Sequence, residues 1–397
     1  MKNNSKTLFI EIGKNEIFFF VGETINENFR IIYKNSVQVV GISKNKITDI
    51  EKFSYLIKTN LILIEDKLNF IFKEIILIIN NFDCHTINLS GYKKLNGSQL
   101  AKDNITYILN SLKSKISEVE NDKKILHIFS TKYLLDNKEL ENIPIGLFGD
   151  FYSQELSFFL MCNNNYKNLK NVFDSCNLNI KKIISKNFIE GVKLINENID
   201  FTSFLLIKIE KKESQLILFE NSSFKFIQNF NFGTDIILDD IYKITSLDKY
   251  LIRKILQIPD YFKISEENEI IGEEFFVNQN FRKIKKKLIV DISSARIQEL
   301  AEIIMIKNIN ISEFLKTKKS IFLQIDDHIT HEFLLSKFEL FFSKNKKFKV
   351  NFLNIFRTSE LCEDAKKIVQ FGWKNEAIPV VERKQSLISR FFNLIFK

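Results

Sequence analysis

Apolar residues recur along this chain with two different periods, and the switches between them mark out its elements. Residues 7–12 (TLFIEI) form a β-rich run, Gly13, Lys14 and Asn15 supply a turn, residues 17–21 (IFFFV) return, and residues 30–40 (RIIYKNSVQVV) give a third strand. A helical period follows over about residues 65–80, where Leu68, Ile71, Phe72, Ile75, Ile76 and Ile79 share one face. Residues 85–89 then read as a strand ending at Ser90 and Gly91. The same order returns in the second half: residues 203–209 (SFLLIKI) are a strand, 210–214 a polar turn, 215–219 a returning strand, and 224–230 a third strand after Asn221 and Ser222. A three-stranded meander followed by helices, present twice, suggests an internally duplicated α/β protein. In such folds two similar lobes face a cleft, and the turn between the first two strands of each lobe points into it. Two unrelated α/β domains would produce the same pattern, and periodicity alone does not choose between them.

Residues 92–163 interrupt this scheme with a helix near 100–113, a strand at 125–129 (ILHIF), a loop holding Pro144, Gly146 and Gly149, and a strand near 155–161. The stretch reads as an inserted α+β subdomain. Residues 166–176 and 187–195 look helical around a strand at 180–184, and a lysine-rich, mostly helical segment covers 240–300. After Trp373 the stretch KNEAIPVVERKQ reads as a linker, because Pro379 opposes a continuous helix. Residues 385–397 (QSLISRFFNLIFK) have a different character. At 100° per residue, Leu387, Ile388, Phe391, Phe392, Leu394, Ile395 and Phe396 cover one broad arc, and Ser386, Ser389, Arg390, Asn393 and Lys397 the other, with Arg383 and Lys384 flanking. A bulky apolar face beside exclusively basic charges suits the interface of an anionic bilayer. The alternative is a helix docked back onto its own domain.

The chain has 397 residues, 45% hydrophobic and 27% charged, which is enough to bury a substantial core and favours two domains or more. Its 11 glycines and 3 prolines fall well below average usage, and no spacing among the glycines can supply G-x-G-x-x-G or G-x-x-x-x-G-K-[ST]. Dinucleotide fingerprints and P-loops are thereby excluded. The net charge of +9 comes mainly from lysine, in a chain also crowded with Ile, Asn and 40 Phe, a composition that fits an A/T-rich genome. No RNP-like aromatic motif or zinc-finger spacing accompanies it, so a solvated lysine surface is expected rather than nucleic-acid binding. Cys84, Cys162, Cys176 and Cys362 have no paired spacing and lie in apolar contexts, as in a reduced intracellular protein. Glu11, Lys14 and Glu16 interrupt the first apolar stretch, so no signal peptide is expected, and no run of 18 apolar residues offers a membrane span. His328 and His331 with Asp326 and Asp327 match no H-E-x-x-H spacing and read as a solvated loop. His85 and His127 read as structural, and no nucleophile–histidine arrangement can be argued.

A set of segments in fixed order resembles FtsA, the actin-like division protein that ties FtsZ filaments to the bacterial inner membrane. They are FIEIGKNEIFFFVGE at 9–23, INLSG at 87–91, ILHIFSTKYLLDN at 125–137 and NIPIGLFGDFYSQELSFFLM at 142–161. They continue with VFDSCNLNIKKIISKNFIEGVKLI at 172–195, FNFGTDIILDDI at 230–241 and DISSARIQELAEII at 291–304. Each is weak alone; the shared order carries the resemblance. It implies an α/β, actin-like (ribonuclease H-like), duplicated two-lobe fold with an FtsA-type inserted 1C subdomain. The implied parts are lobe 1A at 1–91 and 164–200, subdomain 1C at 92–163, lobe 2A at 201–240 and 301–373, subdomain 2B at 241–300, a linker at 374–384, and a membrane-targeting helix at 385–397. Lipid contact is then expected from Arg383, Lys384, Leu387, Ile388, Arg390, Phe391, Phe392, Leu394, Ile395 and Phe396.

The resemblance also implies ATP and Mg²⁺, held in this superfamily by backbone N–H groups of glycine-bearing turns and by acidic side chains acting through water. Where the family shows D-I-G-x-x-K, the chain reads Glu11, Ile12, Gly13, Lys14, Asn15 and Glu16; Gly13, Lys14, Asn15 and Gly233 are the nucleotide-site candidates. Where it shows D-I-G-G-G-T, the chain reads Lys208, Ile209, Glu210, Lys211, Lys212 and Glu213. The adenosine stretch L-T-G-G-A reads Leu323, Gln324, Ile325, Asp326 and Asp327. Losing those glycines removes cheap positive-φ conformations, and Lys208 replaces an acid that would hold metal, so impaired or absent ATP use is expected. Lysines contacting phosphate as point charges, or a register offset of a residue or two, are the alternatives.

Arg296 aligns with the arginine of the family's A-R-x-x-E helix, which implies contact with the acidic tail of FtsZ; Arg282 and Lys285 to Lys287 would extend that basic face, unless they are simply a solvated helix start. The implied function is a non-catalytic adaptor at the cytoplasmic face of the inner membrane, at the septum. Its implied partners are the FtsZ C-terminal tail, further copies of itself in filaments, anionic lipid, and late divisome proteins through 1C. A PilM-like pilus adaptor is the first rival, disfavoured because that family lacks the terminal amphipathic helix. A sugar kinase or Hsp70-type ATPase is the second, disfavoured by the missing glycines.

Overall fold

The computed structural model describes residues 5–43, 45–80, 82–198, 201–258, 268–276, 280–316, 320–326, 332–344, 347–373 and 376–377. In chain order the elements are β1 (Ser5–Ile12), β2 (Glu16–Ile25), β3 (Asn28–Gln38), β4 (Ile42–Ser43), β5 (Lys46–Ile47), α1 (Ile50–Leu68), β6 (Glu74–Ile79), β7 (Cys84–Lys94), α2 (Lys102–Val119), β8 (Lys123–Leu135), β9 (Lys138–Leu140), β10 (Phe151–Cys162), α3 (Asn163–Ser175) and β11 (Asn179–Ser185). They continue with α4 (Lys186–Glu197), β12 (Phe204–Glu210), β13 (Ser214–Glu220), β14 (Ser223–Phe230), α5 (Asp235–Thr245), α6 (Lys249–Leu256), α7 (Lys286–Ala301), β15 (Ser320–Asp326), α8 (Glu332–Phe342), β16 (Lys349–Phe352) and α9 (Thr358–Phe371). The chain divides into two units, one of residues 1–185 and 362–397 and one of residues 186–361.

The first unit is built on a five-stranded sheet in the order β11-β6-β1-β2-β3. β1, β2 and β3 form an antiparallel meander, while β6 runs parallel to β1 and β11 parallel to β6. The second unit repeats this plan in its own sheet, β14-β13-β12-β15-β16, with β12 to β14 antiparallel, β15 parallel to β12 and β16 parallel to β15. Order and direction agree strand for strand, so the duplication suggested by the two meanders is present in the topology.

One assignment changes. The helix expected over 65–80 lies earlier, as α1, and residues 74–79 are strand β6. Asp49 starts α1 by accepting from the Lys52 N–H at 3.0 Å, and Asn69 stops it in the left-handed conformation at φ 45°. Ile75 to Ile79 then run buried between β1 and β11. A parallel strand covered on both faces reads as an unbroken apolar run, and such a run also satisfies a helical period.

Between β6 and α3 lies a four-stranded antiparallel sheet, β7-β10-β8-β9. It takes in residues from Cys84 onward, ahead of the expected boundary at 92. α2 covers it so closely that a Cβ at Gly91 would come within 2.4 Å of Ile108. The four cysteines are free thiols. Among the described residues no helix is long and apolar enough to cross a membrane.

Candidate functional site

The first turn joins β1 to β2. Its Gly13 N–H donates to the Glu16 carbonyl at 3.0 Å, and a Cβ at position 13 would stand 2.8 Å from that oxygen, so the tightness of the turn selects glycine. Lys14 and Asn15 are exposed at its tip, and Asn15 accepts from the Val39 N–H at 2.9 Å. Glu11 is buried in β1 between Phe18 and Ile78 of the neighbouring strands. Burial and the Glu11 carboxylate together push the Cys362 thiol of α9 far above its ordinary value, so this thiol stays protonated.

The second turn joins β12 to β13, with Glu210 donating its N–H to the Glu213 carbonyl at 2.9 Å. The chain leading into α5 packs directly on it. Thr234 N–H donates to the Glu210 carbonyl at 3.0 Å and Asp235 N–H to the Lys211 carbonyl at 2.8 Å. A Cβ on Gly233 would come within 2.0 Å of the Glu210 oxygen. Gly233 therefore serves the close approach of two backbone segments, and the first amides of α5 are spent on the turn.

Beneath this turn the register builds a polar network. Lys208 pairs across with Gln215, and Gln215 with Asn229, so three polar side chains stand side by side on one face of the sheet. The opposite face of β12, with Leu205, Ile207 and Ile209, belongs to the apolar core beneath α5 to α8. Over the polar face lies α4. Lys208 Nζ donates to the Glu190 carboxylate and, at 2.6 Å, to Asn187 Oδ1. Asn187 donates to Gln215 at 3.2 Å, and Gln215 to Asn229 at 2.9 Å. The Glu190 side chain is 2% exposed and that of Lys208 12%. An ammonium neutralised by the Glu190 carboxylate thus lies buried beneath the second turn.

The third element of the expected site is β15, parallel to β12. Gln324 is buried and donates to the Asn354 carbonyl at 3.1 Å, while Asp326 pairs with Glu210 at the carboxyl ends of the two strands. Ligands of α/β sheets bind at that end, and here it carries two adjacent acids. Asp327, His328 and His331 lie outside the described residues, as do 374–375 and 378–384 of the linker and the whole expected helix at 385–397. Among the described residues no cluster of three or more His, Cys, Asp or Glu could hold a metal ion.

Both arginines expected to meet an acidic tail have internal partners. Arg296 of α7 bonds to Asp240 of α5 and, at 2.5 Å, to Glu299. Arg282 donates to the carbonyls of Thr245 and Ser246 at 3.1 and 2.8 Å, capping the C-terminal end of α5.

Sequence reasoning passed over two groups. Glu190 and Asn187 stand three residues apart on α4, and a carboxylate inside the apolar run FIEGVKLI was the available signal. Glu376 sits in the expected linker, yet pairs by a β-bridge with Phe129 of β8 and meets His127 Nδ1 at 2.7 Å and Lys182 Nζ at 2.8 Å. Burial alone would push its carboxyl up; the hydrogen bond and charge of His127, with Lys182, outweigh this and hold it below its ordinary value. Nothing local in the sequence announces that long-range contact.

No protein-family model matches the chain. The cell division protein FtsA of Buchnera aphidicola subsp. Baizongia pistaciae (strain Bp) is 22% identical over 304 residues, spanning 74% of this chain and 70% of that protein. Among solved structures, the PilM-PilN type IV pilus biogenesis complex contains a chain that superposes with a TM-score of 0.54 and 9% identity, covering 92% of this chain and 96% of that one. The chain therefore has the actin-like fold, and its sequence is similar to FtsA.

Proposed function

We propose that this protein is a cell-division adaptor, an actin-fold body that holds FtsZ filaments at the inner membrane and does not depend on ATP turnover. The observation that carries the non-catalytic part is the buried Lys208–Glu190 pair. The strand–turn–strand of a phosphate loop is retained, but its interior is already charge-balanced. A Mg²⁺ ion would have to displace an ammonium, and the phosphates would face Glu210 and Asp326. These residues do not fit Mg²⁺-ATP, although Gly13 with Lys14 and Asn15 keeps the form of a phosphate turn.

The division role is supported by similarity to FtsA over most of the chain. In this reading residues 84–162 would meet late divisome proteins, and Ile145, Leu147 and Phe148, all exposed, offer apolar contact there. An acidic FtsZ tail would compete with Asp240 and Glu299 for Arg296. Residues 385–397, with Arg383 and Lys384 before them, would insert into anionic lipid, and self-association into filaments would multiply that affinity. The test is fluorescence anisotropy of a labelled FtsZ C-terminal peptide titrated with the full chain, together with the position of a fluorescent fusion in dividing cells. Saturable binding and a midcell band are expected. Absence of both overturns the division role.

A further inference from the structure

At the opposite end of β1 from the Gly13 turn, roughly 25 Å along the strand at ~3.3 Å per residue, the first unit holds a pocket of about 180 Å³. It is lined by the starts of β1 and β6, by β11, and by the last turns of α9. Lys6, Lys181 and Lys366 are among its lining residues.

Lys366 is the unusual member. It is 6% exposed, and among the described residues its hydrogen bonds go to two neutral hydroxyls, Ser5 Oγ at 3.2 Å and Thr24 Oγ1, with the Phe29 ring 5.7 Å away. A buried ammonium without a carboxylate is costly unless something else neutralises it. Burial, and then the charge of Lys181, hold its pKa below the ordinary lysine value, which places the two ammoniums within each other's field. Lys6, between Ser5 and Thr7 on β1, turns its ammonium to the opposite face of the sheet, where it meets the Leu68 carbonyl at 3.3 Å and the face of Phe70. Among the described residues lining the pocket the one carboxylate is Glu74, 3.5 Å from Lys181, with both side chains about half exposed, so this pair is weak and leaves the buried charge unbalanced.

We propose that this pocket is a binding site for a phosphate group, free or carried on a small ester, with Lys366 as its buried anchor, Lys181 as a point charge at the mouth, and Ser5 and Thr7 as hydroxyl partners. Lysine ammoniums bind phosphate oxygens as point charges, and neighbouring hydroxyls can donate to the remaining oxygens. The pocket is distinct from the nucleotide turns and does not rest on the division role.

Calorimetric titration of the full chain with inorganic phosphate, and separately with glycerol 3-phosphate, tests it. Saturable binding of at least one is expected, and which of them binds more tightly tells whether the free ion or the ester is the ligand. Lys366→Met removes the binding. Lys181→Gln changes only a half-exposed side chain and so leaves folding intact; it weakens binding about tenfold, the effect of one charged hydrogen bond. Failure of both anions to bind overturns the proposal. So does unchanged binding in Lys181→Gln and Lys366→Met, or loss of binding in Lys14→Gln, which would place the anion at the first turn.

Discussion

Lys208 of β12 donates to the carboxylate of Glu190 on α4, and both side chains are almost fully removed from water. Removing one partner of such a pair leaves an uncompensated buried charge, whereas replacing both by apolar groups is often neutral. Lys208→Met is therefore expected to lower unfolding free energy by about 3–5 kcal/mol, and Lys208→Met with Glu190→Leu to recover most of the loss. Denaturant unfolding of the three proteins checks this. Equal losses in the single and double variants would show that the pair is not a charge-balanced unit.

The same pair bears on nucleotide. In the proposed reading Lys208 takes the position of a metal-holding acid, so titration with mant-ATP is expected to give no Mg²⁺-dependent signal at micromolar concentrations. Micromolar, Mg²⁺-dependent binding would mean that Lys208 leaves Glu190 to meet phosphate.

Two glycines separate two kinds of close approach. At Gly233 an added Cβ meets the Glu210 carbonyl at 2.0 Å, which is backbone; at Gly191 it meets the Phe219 ring at 1.9 Å, a side chain packed on Phe204 and Phe224. Overpacking a core typically costs about 1–3 kcal/mol, and a ring can shift where a turn held by two hydrogen bonds cannot. Gly233→Ala is expected to be the more destabilising, with thermal unfolding as the measurement. The reverse order would mean that the β12–β13 turn yields more readily than the aromatic cluster.

The meanders were legible because alternation and turn residues act locally: Gly13 to Asn15 and Lys211 to Glu213 fall in the turns that the pattern marks. The helix assigned to 65–80 was not, because Ile75 to Ile79 satisfy both periods and only pairing with β1 and β11 decides between them. At the second turn, the absence of glycine and the lysine at 208 were visible in the sequence, but the partner Glu190 lies on another element, fixed by tertiary packing. The same holds for Arg296, whose charge is taken up by Asp240 across 56 positions.

Glu376 gives a pH-dependent contribution whose sign follows from its partners. Its folded pKa lies below the ordinary value of 4.5. The folded state thus binds the proton less readily than the unfolded state. The stabilisation is fully present above 4.5 and is lost as pH falls through the lower, folded value. Glu376→Gln leaves His127 and Lys182 without their shared anion and is expected to cost about 3 kcal/mol at neutral pH. Unfolding measured from pH 7 downward should show the two proteins converging below 4.5. A constant gap across that range would assign the effect to lost packing instead of charge.

Membrane affinity, in the proposed role, has two separable sources within the last residues of the chain. Apolar insertion by Leu387, Phe391, Phe392 and Ile395 is insensitive to salt, whereas attraction of Arg383, Lys384 and Arg390 to anionic lipid, roughly 1 kcal/mol per residue, is screened. Sedimentation with vesicles containing anionic lipid should therefore fall when residues 385–397 are removed. Phe391→Ser with Phe392→Ser should lower binding at every ionic strength. Replacing Arg383, Lys384 and Arg390 by Gln should lower it at low salt and leave the high-salt remainder unchanged. Undiminished sedimentation of the truncated chain would place the lipid contact elsewhere on the body and remove the tail from the tether.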